Sequence, residues 1–249
     1  MQVLILGTAG SGKTQLSYSY AKWLRQRGLD AKVINLDPGA EVTPYEPDWD
    51  IRTIVSVDEL MVSENLGPNG AMIRAAQLML ENSTRIASEV RDMRGDFLIY
   101  DTPGQIELFV FHSSGPALIS ELSKMGRPVG VFLLDPTLMS NPANVASALT
   151  HSIIVRVRLG IPLVVVTSKS DLNQRGDLAR MLSDVDYLDS EVAKSNEGSA
   201  SEIAGVLVDV VRRIPLCQRV LSVSSMTQEG FEDFYSLLHE AFCACGDLT

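Results

Sequence analysis

The octapeptide GTAGSGKT at residues 7–14 constrains the fold more than any other feature of this chain. It follows the apolar run Gln2–Leu6 and precedes a helical pattern over Lys13–Arg27. It matches G-x-x-x-x-G-K-[ST] completely, in the strand–loop–helix context that a P-loop requires. Backbone N–H groups of such a loop converge on phosphate oxygens, and the helix N-terminus adds partial positive charge. A plain glycine-rich turn is the alternative. The octapeptide predicts a nucleoside-phosphate site.

Two side chains of this loop have expected roles in phosphate chemistry. Lys13 would reach the β- and γ-phosphates, and the hydroxyl of Thr14 would hold Mg²⁺. The full set of expected phosphate-binding residues is Gly10, Ser11, Gly12, Lys13, Thr14, Gln15 and Gly104.

Five further short apolar runs recur along the chain, separated by longer helical patterns. The runs are Ala31–Leu36, Asp96–Tyr100, Val129–Leu134, Leu163–Thr167 and Arg219–Val223. Such runs, which lack polar alternation, are typical of strands buried on both faces of a parallel sheet. The helical patterns are Gly70–Met93, Pro116–Lys124, Pro142–Leu159, Ser201–Arg213 and Gly230–Ala244. The alternation predicts a three-layer α/β P-loop NTPase fold with a mostly or wholly parallel sheet.

We expect one domain over residues 1–249, with two intervals longer than this fold needs. Residues 38–66 contain three prolines and are interpreted as an ordered insertion. Residues 172–216 are polar and are expected to be helical. Long ordered insertions beside a sheet often carry function. For residues 172–216 we favour the simpler interpretation, in which they cap the sheet.

Composition excludes several classes of protein. The 21 Lys and Arg residues against 31 Asp and Glu residues give a net charge of −10, which disfavours direct nucleic-acid binding. Cys217, Cys243 and Cys245 are too few for a disulfide framework and lack zinc-like spacing, so we expect packing thiols. No run approaches the ~20 apolar residues of a membrane span, and the start lacks signal-peptide features. We expect a soluble, cytoplasmic protein without a membrane partner.

The segment DTPGQ at residues 101–105 follows the third apolar run. A carboxylate at the end of a buried strand beside a P-loop is suited to bind a water ligand of Mg²⁺. We therefore expect Asp101 to have this role. Gly104 supplies a backbone N–H close to the γ-phosphate, as in loops that sense this group.

The segment TSKSD at residues 167–171 resembles the guanine-reading motif N-K-x-D. Asp171 would accept hydrogen bonds from guanine N1–H and the 2-amino group, which adenine cannot supply. The stem of Lys169 would pack over the base. Ser168 replaces the usual Asn, which leaves guanine specificity open. Ser224 and Ser225, after the last apolar run, resemble the fifth GTPase motif.

The dipeptide Asp37-Pro38 closes the second apolar run. The helix over Lys13–Arg27 is a crossover that makes this strand parallel to the first, so Asp37 lies at the edge that holds the P-loop. A Ras-like fold has an antiparallel strand at this position. A parallel strand therefore places the chain in the SIMIBI-type branch of P-loop proteins. Gly67-Pro68-Asn69 has the composition of a turn, with Asn69 as a helix N-cap.

Together, Asp37-Pro38, Gly67-Pro68-Asn69, residues 101–107 (DTPGQIE) and the Lys169–Asp171 motif closely resemble the GPN-loop GTPases over essentially the whole chain. The chain is most similar to the archaeal type. The resemblance implies Mg²⁺-dependent hydrolysis of GTP to GDP and phosphate by a homodimeric switch. It also implies a possible protein client, such as the RNA polymerase assembly machinery.

The resemblance further implies the roles of individual residues. Asn69 of the GPN loop would contact the phosphate region of the partner subunit in trans. Thr14, Asp37 and Asp101 would lie around Mg²⁺. The candidates that orient the attacking water are Asp37, Asp101, Gln105 and Glu107.

Several alternatives stay open at this point. Glu107 is equally interpreted as a solvated carboxylate, and Arg52 and Arg74 as surface residues rather than arginine fingers. His112 and His151 lack acid–nucleophile neighbours and are interpreted as structural.

Two other functions compete with a GTPase switch. One is a GTP-dependent assembly factor in which hydrolysis only resets the state. The other is a MinD-like ATPase, which is disfavoured by Thr8 at the second P-loop position and by residues 168–171.

Overall fold

A seven-stranded parallel sheet forms the centre of the computed structural model, which describes residues 1–172, 176–195, 198–214 and 220–243. Within these ranges the spatial order of the strands is β3-β2-β4-β1-β5-β6-β7, and every neighbouring pair is parallel. The strands are β1 Gln2–Gly7, β2 Ala31–Asn35, β3 Trp49–Asp50, β4 Phe97–Asp101, β5 Val129–Leu134, β6 Leu163–Thr167 and β7 Leu221–Ser222. The predicted α/β fold with a mostly or wholly parallel sheet is confirmed, and the described sheet is wholly parallel.

Helices connect the strands and cover both faces of the sheet. They are α1 Lys13–Gln26, α2 Val57–Ser63, α3 Pro68–Glu81, α4 Ser83–Arg91, α5 Ser114–Ser123, α6 Pro142–Leu159, α7 Gly176–Ser183, α8 Val185–Lys194, α9 Ser199–Arg213 and α10 Phe231–Cys243. A π-helical turn, Glu107–Phe111, precedes α5. In the described residues, none of these helices combines the length and apolarity that a membrane crossing needs.

The core consists of two apolar layers, one on each side of the sheet. Successive side chains of a strand point to opposite faces, so Val3 and Ile5 of β1 join the layer under α1 and α10. Leu4 and Leu6 join the larger layer under the helices from α2 to α9. Both layers exclude water from β1, which explains why its sequence lacks polar alternation.

The region predicted as one helix over Gly70–Met93 is two helices that meet at Asn82. The Asn82 side chain donates from Nδ2 to the carbonyl oxygen of Leu78 at 2.8 Å. The backbone N–H of Asn82 donates to the same carbonyl oxygen at 2.9 Å, so the side chain adds a second bond at the end of α3.

Asn69 is not the N-cap of its helix, so that prediction was wrong. Gly67 is the N-cap, and α3 begins at Pro68. Proline suits the first helical position because its missing N–H has no intrahelical partner there and its φ is already helical. Similarly, α5 begins at Ser114, two residues before the predicted start at Pro116.

The segment 38–66 contains the edge strand β3 and helix α2, neither of which the sequence patterns indicated. Trp49 of β3 donates from Nε1 to Glu89 of α4 at 3.1 Å, which fixes this edge. Segment 172–216 includes α7, α8 and α9, in agreement with its predicted helical character.

Cys243 is a free, exposed thiol. Four residues that the sequence analysis named lie outside the described residues: Cys217, Arg219, Ala244 and Cys245.

Gly115 provides a test of the packing between α5 and the π-helical turn. A Cβ atom at Gly115 would lie 2.0 Å from the carbonyl oxygen of Phe109. We expect Gly115→Ala to lower the free energy of unfolding by about 1–3 kcal/mol or more, because backbone must move to admit the methyl group. Urea unfolding monitored by circular dichroism measures this change.

The matched control is Gly205→Ala in α9, where no atom lies within 4 Å of the added Cβ. This control should raise stability by roughly 0.5–1 kcal/mol, because alanine is the better helix former. Equal effects of the two substitutions would contradict the described contact between Gly115 and Phe109.

Candidate functional site

The carboxyl ends of β1, β2 and β4 meet beside the P-loop and form a cleft of about 380 Å³. Parallel pairing places Asn35 of β2 beside Asp101 of β4, so the residues that follow both strands emerge at one edge. The cleft is lined by Ala9, Gly10, Gly12, Lys13, Thr14, Gln15, Asp37, Pro44, Thr102 and Gly104. All predicted phosphate-binding residues except Ser11 line it. Ser11 is fully buried, and its Oγ has no partner in the described structure.

The P-loop conformation depends on glycine at the start of α1. Gly12 is the N-cap, with φ of 92°, a left-handed conformation that side chains rarely adopt. Lys13 Nζ donates to the carbonyl oxygens of Gly7 at 2.8 Å and Thr8 at 2.9 Å. Burial lowers the pKa of Lys13, and the nearby carboxylates of Asp101, Asp37 and Glu107 oppose that shift. The ammonium is therefore held at the loop.

Asp101 is a buried carboxylate with incomplete hydrogen bonding. Its Oδ2 accepts a bond from the Tyr45 hydroxyl at 2.8 Å, whereas its Oδ1 has no partner in the described structure. Burial raises the pKa of Asp101 to about 6, although hydrogen bonds from Tyr45 and Thr14 act in the opposite direction. A buried oxygen without a partner is costly unless a ligand completes its shell.

The oxygen atoms of Thr14, Asp37 and Asp101 fit a small hard cation. Mg²⁺ is typically bound through one or two carboxylates together with substrate phosphates and water, rather than by a complete protein cage. The described residues contain no group of three or more His, Cys, Asp or Glu side chains suited to holding a metal by themselves. The unpartnered Oδ1 of Asp101 is the observation that supports this fit.

Asp37 joins the loops that follow β2 and β4. Its Oδ1 accepts from the N–H of Gly39 at 2.9 Å, and its Oδ2 accepts from the N–H of Gly104 at 3.2 Å. A cavity of about 10 Å³ lies where these loops meet α3, and its lining includes Pro38, Pro103 and Met72. The two loops and α3 therefore form one packed unit.

The residues predicted to read a base lie at the carboxyl ends of β6 and β7. Ser224 is buried, and its Oγ donates to Oδ1 of Asp171 at 2.6 Å. Ser225 follows it, half-buried, and Asp171 itself is exposed. Ser168 is buried and donates to the carbonyl oxygen of Leu134 at 3.2 Å. The Asp171 carboxylate is thus oriented by one neighbour and remains open to a ligand.

Lys169 connects this region to the P-loop. Its Nζ donates to the carbonyl oxygen of Gly10 at 3.0 Å and to Oδ2 of Asp135 at 2.6 Å. The phosphate cleft and the base-reading residues therefore belong to one continuous surface.

Among the predicted catalytic residues, three are exposed and do not line the cleft of their own chain, and the buried Asp101 does not line it either. Asn69 is exposed on the first turn of α3. Gln105 and Glu107 are exposed, and Glu107 begins the π-helical turn. Glu107 nevertheless lies close enough to Lys13 to influence its pKa.

Arg52, Arg74 and His151 have contacts within their own chain, whereas the buried Nδ1 of His112 has no partner in the described residues. Arg52 forms an ion pair with Asp50, and Arg74 forms one with Glu64. His151 lies against the rings of Phe111 and Phe132. Burial lowers the pKa of His151, whereas the charge of Glu107 raises it.

Sequence reasoning missed Tyr45 and Asp135, which contact Asp101 and Lys169, respectively. Tyr45 belongs to a segment without periodic structure, so no local pattern indicated its partner. Asp135 stands directly after the apolar run Val129–Leu134, the same position that identified Asp37 and Asp101. Its position after a buried strand was therefore the signal that could have identified Asp135 as a site residue.

Comparisons with known proteins agree on one family. A family model described as "Conserved hypothetical ATP binding protein" matches residues 5–244. A GPN-loop GTPase of Pyrococcus abyssi is 33% identical over the full length of both chains. GPN-loop GTPase 3 of Dictyostelium discoideum is 33% identical over 76% of this chain and 66% of its own length.

Structural comparison gives the same result. The crystal structure of a Pyrococcus abyssi GTPase in its apo form superposes with a TM-score of 0.86 at 31% identity, covering 98% of each chain. The description of the family model names ATP, whereas the relatives are named GTPases, so the base-reading residues bear directly on the substrate.

Asp171→Asn tests that assignment. The variant presents an amide instead of a carboxylate, so it should lose guanine affinity by roughly 10–100-fold and gain xanthine affinity. Xanthine carries a carbonyl where guanine has its 2-amino group. Calorimetric titration with GDP, xanthosine diphosphate and ADP gives the three affinities.

Because Asp171 is exposed, the variant should fold normally. Asp177→Asn, at an exposed position in α7, is the matched control. Equal affinities of the unmodified protein for ADP and GDP would contradict a guanine site.

Proposed function

The chain belongs to the GPN-loop GTPase family and hydrolyses GTP, and we propose that one continuous surface of the sheet edge holds this nucleotide. The phosphates occupy the P-loop cleft, and the base lies between Lys169 and Asp171. The observation that carries the proposal is the bond from Lys169 to Gly10, because it joins the base-reading residues to the P-loop.

When the phosphates bind, Lys13 exchanges its backbone hydrogen-bond partners for phosphate oxygens. In the free chain the Lys13 ammonium is bonded to the carbonyl oxygens of Gly7 and Thr8. Phosphate oxygens are stronger acceptors because they are charged. The helix dipole of α1 adds to the attraction at the same place.

A Mg²⁺ ion is the cofactor that the donor set fits, held by Thr14 and, directly or through water, by Asp37 and Asp101. When bound, it neutralises charge on the β- and γ-phosphates. Asp101 supplies a buried carboxylate oxygen that lacks a protein partner. The Tyr45 hydroxyl holds that carboxylate in place.

Hydrolysis requires a water in line with the γ-phosphate and stabilisation of the charge on the transferring group. Gln105 is suited to orient the water, because its amide both donates and accepts. Its position next to Gly104 places it on the loop that is tied to Asp37. Glu107 is the second candidate on the same segment.

The proposed active form is a homodimer in which the GPN loop, Gly67-Pro68-Asn69, acts on the partner subunit. Asn69 is exposed and does not line the cleft of its own chain. Pro68 restricts the backbone at the first position of α3. A stiff loop loses little conformational freedom when it docks. These features support a role for Asn69 in trans.

Gln105→Ala tests the assignment of the water-orienting residue. We expect the single-turnover rate at saturating Mg²⁺–GTP to fall by roughly 10²-fold or more, with GTP affinity within a few-fold of wild type. Gln26→Ala, at the exposed far end of α1, is the matched control and should retain the wild-type rate. An unchanged rate for Gln105→Ala would remove this residue from the mechanism.

A mixing experiment tests the role of Asn69 in trans. Chains with Asn69→Ala and chains with Lys13→Ala are each expected to be inactive. In a purified heterodimer one site contains both defects and the other contains neither, so activity should recover to about half of wild type. Absence of recovery despite confirmed subunit exchange would show that Asn69 acts within its own chain or only supports α3.

A further inference from the structure

Asp135 is a buried carboxylate at the carboxyl end of β5, with only 6% of its side chain exposed. Its Oδ1 accepts from the backbone N–H and the hydroxyl of Thr137, at 2.9 and 2.7 Å. Its Oδ2 accepts from Lys169 Nζ at 2.6 Å. Burial favours the neutral acid, but the bonds from Lys169 and Thr137 outweigh it and lower the pKa of Asp135. The two oxygens therefore have separate partners.

Lys169 is constrained at both its backbone and its ammonium group. Its φ of 54° lies in the left-handed region, which is uncommon for a residue other than glycine. Its ammonium is shared between Asp135 and the carbonyl oxygen of Gly10. Ser168, in contrast, is bonded to Leu134 of β5. Among the described residues, Lys169 makes the one hydrogen bond that joins residues 167–171 to the P-loop.

The peptide between Gly10 and Ser11 is held on both sides. Its carbonyl group accepts from Lys169, and its N–H donates to the carbonyl oxygen of Thr8 at 3.2 Å. Gly10 has a φ of 78°, so this part of the loop has no strong conformational preference of its own. The anchored ammonium therefore helps to fix the P-loop as well as the base-covering stem.

We propose that Asp135 is a positioning residue for nucleotide binding, which anchors the Lys169 ammonium so that its stem covers the base and its second bond supports the P-loop. This inference rests on the proposed function, because it needs the nucleotide to lie across Lys169. Asp135 lies outside every motif that the sequence analysis identified, so the proposal adds a new determinant of nucleotide affinity.

Asp135→Asn tests the proposal with little change in shape. The amide oxygen can still accept both bonds from Thr137, while the amide NH₂ faces the Lys169 ammonium and cannot accept from it. We expect the dissociation constants of GDP and GTP to rise by a similar factor of about 10, since a lost hydrogen bond to a charged group has this effect. The rate of hydrolysis at saturating GTP should change less than threefold, because Asp135 does not line the P-loop cleft.

A double-mutant cycle separates positioning from general damage to the fold. Lys169→Met keeps the apolar stem but removes the ammonium. If Asp135 acts through Lys169, adding Asp135→Asn to Lys169→Met should raise the dissociation constant of a fluorescent GDP analogue less than twofold further. A full additional tenfold loss in the double variant would overturn the proposal.

Thr137→Val is the matched control, because it removes a different bond to the same carboxylate. It should keep GDP affinity within about twofold of wild type. A loss equal to that of Asp135→Asn would attribute the effect to the turn and overturn the positioning role.

The two proposals fail in different ways. If Lys169→Met alone leaves GDP affinity unchanged, the ammonium is not needed and the positioning role is overturned. Failure of the proposed base site would appear instead as unchanged GDP affinity in Asp171→Asn. If Lys169→Met weakens binding but Asp135→Asn does not, only the role of Asp135 is rejected.

Discussion

Parallel pairing of β2 with β4 is the constraint on which the phosphate site depends. The register places Asn35 beside Asp101, so the chain leaves both strands at the same edge and Asp37 reaches the backbone of Gly104. An antiparallel β2 would send its following loop to the opposite edge of the sheet. The crossover helix α1 enforces the parallel direction and also begins with the P-loop. One topological choice therefore brings together the loop, the lysine and both carboxylates.

The same arrangement leaves the free chain with polar groups that have incomplete partners. Asp101 is buried with one unpartnered oxygen, and Ser11 has a buried hydroxyl without a partner. Such groups reduce the stability of the free protein. A ligand that completes their hydrogen bonds binds only the folded state, so it stabilises the fold by mass action. In the proposed site, bound Mg²⁺ would complete the shell of Asp101 Oδ1, so stability and nucleotide occupancy would be coupled through this atom.

The strands and motifs of this protein could be predicted because each has a local signature. Apolar runs identified six of the seven described strands, including the two-residue edge strand β7. Glycine, lysine and aspartate at strand ends identified the cleft. The edge strand β3 has two residues and pairs only with β2, so its existence depends on long-range contacts.

Local patterns failed for related reasons elsewhere. The helix break at Asn82 has no periodic signature, since Asn82 ends α3 with both its backbone and its side-chain N–H bonded to Leu78. Tyr45 and Asp135 are separated in sequence from Asp101 and Lys169, and only the folded sheet brings each pair together. The contacts that tune the site are thus less visible in sequence than the motifs that form it.

Helix α3 has a consequence for how two sites could communicate. Its middle lines one small cavity together with Pro38 and Pro103, on the loops beside the proposed phosphate site, while its first turn carries Asn69. A helix moves largely as a rigid body, so displacement of either loop shifts that turn. In the proposed dimer, occupancy of one site would then change the affinity of the other, and the dependence must be mutual and equal in free energy. In that dimer, α3 of each protomer would couple the nucleotide occupancy of its own site to the affinity of its partner's site.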